Sequence, residues 1–295
     1  MKEKELESIN SNKIIDGDKI NDQLDDNSKD AFFLDDKQLC SKALYVFLKE
    51  YNETIEYFLT IIGMAAKMDE IRTAAAKALS DYNNEKEELC TELENNSAMN
   101  RIRKYEIIQM NQLVNSTVNN FLSYLSDVIQ LAIRENPEIL KSQEAIKIEE
   151  ILSFRSYNEI LDYIIDKKLT DLSYQGIDKI QEYISNRLGI REFCTSEQKK
   201  ILKITIESRN IISHNRGIIN DIFLSRTNSH ERFKFQKGEK LNLILDDFEF
   251  LALNCLNVTF SIDQMICEKF RIKRKKFSTW SDSQSKHDGV VLSAQ

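Results

Sequence analysis

An arginine, an asparagine and a histidine lie close together in the stretch SRNIISHNRG, residues 208–217. Asn210 and His214 are four residues apart, so on a helix they share one face. Arg209 and His214 are five residues apart, which places them about 140° apart around a helix axis. One straight helix therefore cannot bring all three side chains together. Their convergence requires a distorted helix, or a second copy of the chain across a two-fold axis.

These residue types suit the cleavage of a phosphodiester bond. An imidazole can give or take a proton near neutral pH. A guanidinium holds phosphate oxygens and stabilises the charge of a transition state, and Asn210 can orient a hydroxyl group or a phosphate oxygen. No carboxylate cluster for two metal ions lies near the motif in the sequence, so we expect a reaction without metal or cofactor. RNA permits this because its own 2′-hydroxyl can attack the phosphorus.

The pattern also has ordinary explanations. An arginine followed by a histidine five residues later often arises by chance, and a helical histidine is more often a hydrogen-bonded structural residue than a catalyst. Gly217 costs about 1 kcal/mol in a helix interior. It predicts either a close approach of another backbone, as at a dimer axis, or a local kink.

The composition indicates long helices. The chain has 295 residues, of which 41% are hydrophobic and 30% charged, a balance typical of a globular protein with a sizeable core. One proline and seven glycines are too few for the turns of a sheet protein of this size. Five scattered cysteines have no metal-site spacing, which favours reduced thiols and a cytoplasmic location. We found no apolar run near 18 residues and no signal peptide, so we expect no membrane association.

The net charge of −7 is unevenly distributed. Residues 1–36 carry 11 acidic and five basic side chains, a net charge of −6, so the other 259 residues are nearly neutral. The whole chain is therefore not a typical nucleic-acid binder, although a local basic surface can exist outside the first 36 residues. We interpret residues 1–36 as an acidic, disordered arm.

The apolar spacing predicts an all-α fold. Residues 37–100 read as a long helical hairpin, with candidate breaks at Gly63 and at DYNNEK. A second long helix is predicted from about Arg103 to Arg134, ended by Asn136 before Pro137. Capping-box pairs predict three later helix starts: Ser156 with Glu159, Thr195 with Gln198, and Asp246 with Glu249.

The helix that carries the motif is predicted to run without interruption from about 196 to 226. The segment that follows is interpreted as a loop or as a short β-hairpin near 232–243, around Lys237 and Gly238, and a last helix is predicted to reach about Phe270. Residues 271–295 are interpreted as a basic cluster and then a polar tail.

The string RNIISHNRG resembles the R-x4-6-H motif of HEPN domains, in the form with a polar residue directly after the arginine. The likeness extends to the order of the helices over residues 101–270: a long helix, short helices containing EILDYIIDKKL and YISNRLGI, the motif helix and a final long helix. The resemblance implies a HEPN-like helical bundle, which here follows the hairpin of residues 37–100.

The resemblance also implies a function. Many HEPN proteins are metal-independent endoribonucleases that leave 2′,3′-cyclic phosphate ends, and many act as toxins or in anti-phage defence. Arg209 and His214 of both protomers of a homodimer would be catalytic, with Asn210 as the polar helper and Gly217 at the dimer contact. RNA would be the substrate, and an antitoxin or another defence protein a partner. Arg216 stands where members controlled by a nucleotidyltransferase antitoxin have a tyrosine, so we do not expect that mode of control.

Alternatives remain open. The chain can instead be a catalytically inert HEPN-like module that dimerises and scaffolds a larger complex, or a structural helical protein with an accidental motif. The complete set of arginine, asparagine and histidine favours the enzyme. Basic residues can bind RNA phosphates, or they can be solvated cations at a helix end, where they suit the helix dipole. The candidates for RNA binding are Arg216, Arg271, Lys273, Arg274, Lys275 and Lys276.

Overall fold

The computed structural model of the chain describes residues 37–83, 97–141, 147–174, 177–227 and 230–281. The arm predicted over residues 1–36 and the end of the predicted tail lie outside the described residues. The described part is mostly helical, which confirms the all-α class. Its α-helices are α1 (Lys42–Asn83), α2 (Ala98–Lys104), α3 (Glu106–Glu135), α4 (Ile148–Leu152), α5 (Tyr157–Tyr174), α6 (Ile177–Asn186), α7 (Ser196–Asn215), α8 (Asp221–Thr227) and α9 (Leu245–Phe270), with a 3₁₀ helix at Pro137–Leu140.

Helix α1 is continuous for 42 residues, so the predicted break at Gly63 was wrong. A Cβ atom at Gly63 would have no heavy atom within 4 Å, because the residue faces open space. The penalty of about 1 kcal/mol for a helical glycine is therefore offset by the packing of the rest of the helix. The second candidate break, at DYNNEK, extends past the end of α1 at Asn83 into residues 84–96, which lie outside the described residues.

The start of α2 is fixed against the side of α1. The carboxylate of Asp69 accepts hydrogen bonds from the backbone N–H groups of Ala98, at 2.7 Å, and Met99, at 2.9 Å. A carboxylate at a helix N-terminus satisfies otherwise unpaired N–H groups and interacts favourably with the helix dipole. This contact holds the start of α2 against the middle of α1.

Helix α3 confirms the predicted long helix to within a few residues. It ends where Asn136 donates its N–H to the carbonyl of Ala132 at 3.0 Å, directly before Pro137. Its buried face packs against α1, α7 and α9. Asn120 donates to the carbonyl of Phe47 at 2.8 Å, and Tyr124 donates to that of Thr259 at 3.1 Å. These two bonds join α3 to α1 and to α9.

Helix α9 is the core helix of the fold. It is the one helix of the described residues that is long and apolar enough to cross a membrane, but 61% of its most apolar window is buried inside the protein. Burial of this kind is usual for a central helix of a globular protein. The helix begins at Leu245, and the Ile244 N–H donates to the Asp247 side chain at 3.4 Å. The prediction that Asp246 and Glu249 form the cap was therefore wrong, because the N-cap is Ile244, two residues before Asp246.

The other two predicted helix starts are placed well. The predicted capping box at α7 is confirmed, since Gln198 donates its N–H to Thr195 Oγ1 at 3.1 Å and the Thr195 N–H donates to Gln198 Oε1 at 2.9 Å. At α5, Glu159 donates its N–H to Ser156 Oγ as predicted. The Glu159 carboxylate, however, accepts from the N–H of Arg155 at 2.8 Å rather than from that of Ser156.

The prediction of one continuous helix from about 196 to 226 was wrong. Helix α7 ends at Asn215, and Arg216 (φ 55°) and Gly217 (φ 76°) adopt left-handed conformations. The Gly217 N–H donates to the carbonyl of Ile211 at 2.8 Å, which closes the helix end. The chain then reverses into α8.

The predicted β-hairpin near 232–243 was also wrong. Gly238 forms a turn with φ 84°, but the flanking segment pairs with the end of α7 rather than with itself. The Ile219 N–H donates to the carbonyl of Glu239 at 2.9 Å, and the Leu241 N–H donates to that of Gly217 at 2.7 Å. This non-local pairing explains why a local turn signal did not make a hairpin.

The small sheet of the structure joins two distant segments. Strand β1 (Leu39–Cys40) pairs antiparallel with strand β2 (Lys275–Lys276). Trp280 donates its indole N–H to the carbonyl of Cys40 at 3.1 Å. Residues 271–281 therefore belong to the folded body, which corrects the prediction that they begin a tail.

Candidate active site

An open cleft of about 390 Å³ lies between α7, the helix that carries the motif, and α8. Asn210 and His214 both line it, as their spacing of four residues predicted. His214 is exposed, and within the described ranges neither of its ring nitrogens makes a hydrogen bond. The alternative of a hydrogen-bonded structural histidine thus finds no support in the structure. The remaining lining residues are Glu207, Ile211, Asn215, Asn220, Ile222, Phe223 and Arg226.

The end of α7 at Asn215 creates this cleft. Arg226 NH1 lies 3.1 Å from Glu207 Oε1, although the two residues are 19 positions apart. On a continuous helix they would be about 28 Å apart. The reversal of the chain after Asn215 therefore brings a second guanidinium beside Asn210 and His214. Arg226 remains largely exposed while its partner carboxylate is nearly buried, so the guanidinium faces the solvent of the cleft.

Arg209 lies outside the lining of the cleft, on the side of α7 that faces α3. Its Nε donates to Asn119 Oδ1 at 3.0 Å, and its NH1 donates to Asn210 Oδ1 at 3.4 Å. Both acceptors are neutral amide oxygens. Among the residues that the structure describes, no carboxylate forms an ion pair with Arg209. The guanidinium is thus held in place while its charge is not neutralised.

Gly217 is buried under the same chain's own segment around Leu241. A Cβ atom at Gly217 would meet Lys240 Cγ at 3.9 Å, and its positive φ is strained for other residues. The backbone that approaches this glycine belongs to the same chain, and the glycine lies at the end of α7, so the structure shows neither a second copy nor a kink within a continuous helix. A role of Gly217 at a dimer contact stays a prediction. Arg216 is exposed at the end of α7, where the Asn215 side-chain amide donates to the carbonyl of Ile218.

The basic cluster after α9 divides into two groups. Arg274 is half-buried, lies 3.3 Å from the buried carboxylate of Asp263 and donates to the carbonyl of Leu39 at 2.7 Å. Lys275 lies over the ring of Trp280 at 4.3 Å. These two cations therefore hold the C-terminal segment in place. The exposed members are Arg271, Lys273 and Lys276, and RNA binding by them stays a prediction.

Several residues of the candidate site could not be found from the sequence motif. Asn119 comes from α3 and Arg226 from α8, and both reach the motif only through tertiary structure. Glu207 is within the motif helix, but its use depends on the position of Arg226. A local signal existed for one feature alone, because the left-handed preference of Gly217 permits a helix end after Asn215.

The polar groups that line the cleft are the His214 imidazole, the amides of Asn210, Asn215 and Asn220, and the Arg226 guanidinium with its partner carboxylate of Glu207, and Arg209 lies just outside this lining. No known protein-family model, curated protein or solved structure matches the chain. The arrangement is therefore judged by its chemistry. An imidazole with both nitrogens available can transfer protons, and a guanidinium without an ion pair among the described residues, as at Arg209, attracts phosphate oxygens. In the described ranges no three side chains of His, Cys, Asp or Glu are grouped to hold a metal ion.

Proposed function

We propose that the protein is a metal-independent endoribonuclease of the HEPN type that acts as a toxin or an anti-phage defence effector. The observation that carries this proposal is the state of Arg209 and His214. Among the residues that the structure describes, Arg209 is anchored by two amide oxygens without a carboxylate partner, and His214 is exposed without a hydrogen bond in a cleft shared with Asn210. Residues that serve only the fold are more often satisfied and buried.

The proposed reaction is an internal transfer at phosphorus. The 2′-oxygen of the RNA forms a bond to phosphorus, the bond to the 5′-oxygen of the next nucleotide breaks, and a 2′,3′-cyclic phosphate results. His214 takes the proton of the 2′-hydroxyl or gives one to the leaving 5′-oxygen. Arg209 stabilises the charge on the non-bridging oxygens, and Asn210 orients the reacting group.

The proposal includes a homodimer. Arg209 and His214 point to different sides of α7, since His214 lines the cleft and Arg209 contacts α3. One imidazole cannot both take the first proton and give the second to groups on opposite sides of the phosphorus at once. A site completed by a second protomer supplies the missing group, as the resemblance to HEPN proteins implies.

The test is RNA cleavage in EDTA by the purified full chain. The wild-type protein should cleave members of a panel of tRNAs and mRNAs and leave cyclic phosphate ends. His214→Ala should lower the cleavage rate by about 10²- to 10⁴-fold, the usual contribution of acid–base catalysis, and Arg209→Ala should lower it by about 10²- to 10³-fold, the usual contribution of a group that stabilises transition-state charge. Ser213→Ala and Arg191→Ala change exposed residues outside these contacts and should leave the rate unchanged.

The alternative function is a catalytically inert HEPN-like scaffold. Full activity of both His214→Ala and Arg209→Ala would remove the motif from the mechanism. A wild-type protein that folds and binds RNA but never cleaves the panel would favour the scaffold. Circular dichroism of each variant separates lost chemistry from a lost fold.

A further inference from the structure

The second half of α1 exposes a regular apolar stripe. Its five large side chains are 38–71% exposed, and their spacing of 4, 3, 4 and 3 is that of a coiled-coil heptad. We call this stripe the outer seam. It consists of Tyr57, Ile61, Met64, Met68 and Ile71.

The outer seam is not the face that α1 uses inside its own fold. That inner face has its own heptad spacing and contacts α2 and α3. Its apolar members are buried or half-buried: Tyr51, Ile55, Phe58, Ile62, Ala65 and Ala76. A helix with two adjacent apolar seams is typical of a bundle in which it packs against two neighbours. Within the described residues, α2 and α3 cover the inner face and no helix covers the outer seam.

The outer seam borders a groove of about 760 Å³ between α1 and α3. Tyr57 and Ile61 form one wall, and Ile108, which is 56% exposed, lies on the opposite wall. These six apolar side chains are 38–71% exposed and follow one another along α1 and across the groove. A large exposed apolar patch of this kind marks an interaction site.

The segments outside the described residues are poorly suited to cover this surface. Residues 84–96 contain five glutamates and only three apolar residues, and residues 1–36 have a net charge of −6. Residues 282–295 contain only three large apolar residues, and none of these three segments offers a stripe of five large apolar side chains in heptad spacing. A second copy of α1 does, because an isologous two-fold interface places the same patch on both partners.

We propose that the outer seam is a homodimer interface in which the α1 helices of two copies pack antiparallel. The charges along α1 favour this direction. Near the body, residues 49–56 carry three glutamates and one lysine, a net charge of −2, and at the far end residues 67–77 carry three basic and two acidic residues, a net charge of +1. Antiparallel packing places the acidic end of each copy against the basic end of its partner, whereas parallel packing would place like charges together.

This interface lies next to the candidate active site. Asn119 lines the groove and also holds Arg209 through its Oδ1 atom. A partner α1 that occupies the groove therefore lies beside the motif arginine of the other copy. The inference does not depend on catalysis, since it concerns the packing of α1 alone.

The test is the mass of the full chain by light scattering coupled to size-exclusion chromatography. The wild-type protein should be a dimer. Met64→Glu combined with Met68→Glu changes two exposed positions and should weaken the dimer by at least about 100-fold, because it buries charge in the seam. Leu152→Glu is the matched control, since Leu152 is 78% exposed on α4. A monomeric wild type, an intact dimer in the double variant, or a dimer split by Leu152→Glu would each overturn the interface.

Cross-linking tests the direction independently of the glutamate variants. In a Cys90→Ser background, Tyr57→Cys and Ile71→Cys proteins with different tags are mixed and treated with a short bismaleimide. Antiparallel packing predicts that position 57 of one copy cross-links to position 71 of the other more than to its own equivalent. Cross-links mainly between identical positions, or none above the parent protein, would refute the proposal. No RNA is used, so these results are separable from failure of the ribonuclease proposal.

Discussion

Two arginines of this protein are anchored in opposite ways. Arg274 lies beside the carboxylate of Asp263, which is fully buried, in a closed cluster with Ser41. Within the described part of the chain, Arg209 is held by the amide oxygens of Asn119 and Asn210 alone, at the edge of an open surface. The charge of Arg274 is therefore used inside the fold, and that of Arg209 is available to a ligand.

The closed cluster shows what a structural polar site looks like in this chain. Ser41 donates both its hydroxyl and its N–H to Asp263, and Arg274 lies 3.3 Å away as an ion pair rather than a well-aligned hydrogen bond. Burial raises the pKa of Asp263 even though these partners oppose the shift. At the motif, by contrast, no described carboxylate pairs with His214 or Arg209, and His214 is exposed. The two regions therefore differ in how completely their polar groups are paired and buried, although both contain an arginine.

The largest expected effect separates the two arginines by stability. Arg274→Ala leaves the Asp263 carboxylate buried without its cation and should destabilise the protein by about 3 kcal/mol. Arg209→Ala removes bonds to exposed amides and should cost at most about 1 kcal/mol. Urea denaturation of both variants measures the difference. Equal losses of stability would mean that Arg209 is also structural, which would weaken the contrast.

The next effect concerns the thiols that surround the closed cluster. Burial, and next the charge of Asp263, raises the pKa of Cys40 and of Cys267 to about 12. At pH 8 both should react with iodoacetamide at least about 100-fold more slowly than an exposed thiol, since the thiolate is the reactive form. The comparison is Ser213→Cys, which places a thiol beside His214. Rapid native-state labelling of Cys40 or Cys267 by mass spectrometry would show that the cluster opens.

The smallest effect is a pH dependence of stability. Because the pKa of Asp263 is raised in the folded protein, the native state binds this proton more tightly than the unfolded chain does. The stabilising contribution is therefore complete below the usual value of 3.8 and is lost as the pH rises through the raised pKa. The free energy of unfolding of the wild type, minus that of Asp263→Asn, should decrease over this range. A flat or rising difference would contradict the assigned burial.

The sequence predicted those parts of the fold that are encoded locally. The bounds of α3 and the cap of α7 depend on neighbouring residues such as Pro137, Thr195 and Gln198, and they were placed well. The end of α7 was missed although Gly217 gave a local signal for it, because the segment that holds the chain after the helix end comes from residues near Leu241. The site was predicted in the same unequal way. Asn210 and His214 share a cleft as their spacing requires, whereas Arg226 joins them only because the helix ends at Asn215.

The pairing of β1 with β2 brings the first and the last described segments of the chain into contact. Leu39 and Lys276 are neighbours in the sheet, although almost the whole chain lies between them. Closing a loop of that length in an unfolded chain costs about 5 kcal/mol of entropy, which the packing of the intervening helices must supply. During synthesis on a ribosome, the partner of β1 emerges only after α9. The β1–β2 pairing therefore forms late, when the motif helix has already left the ribosome.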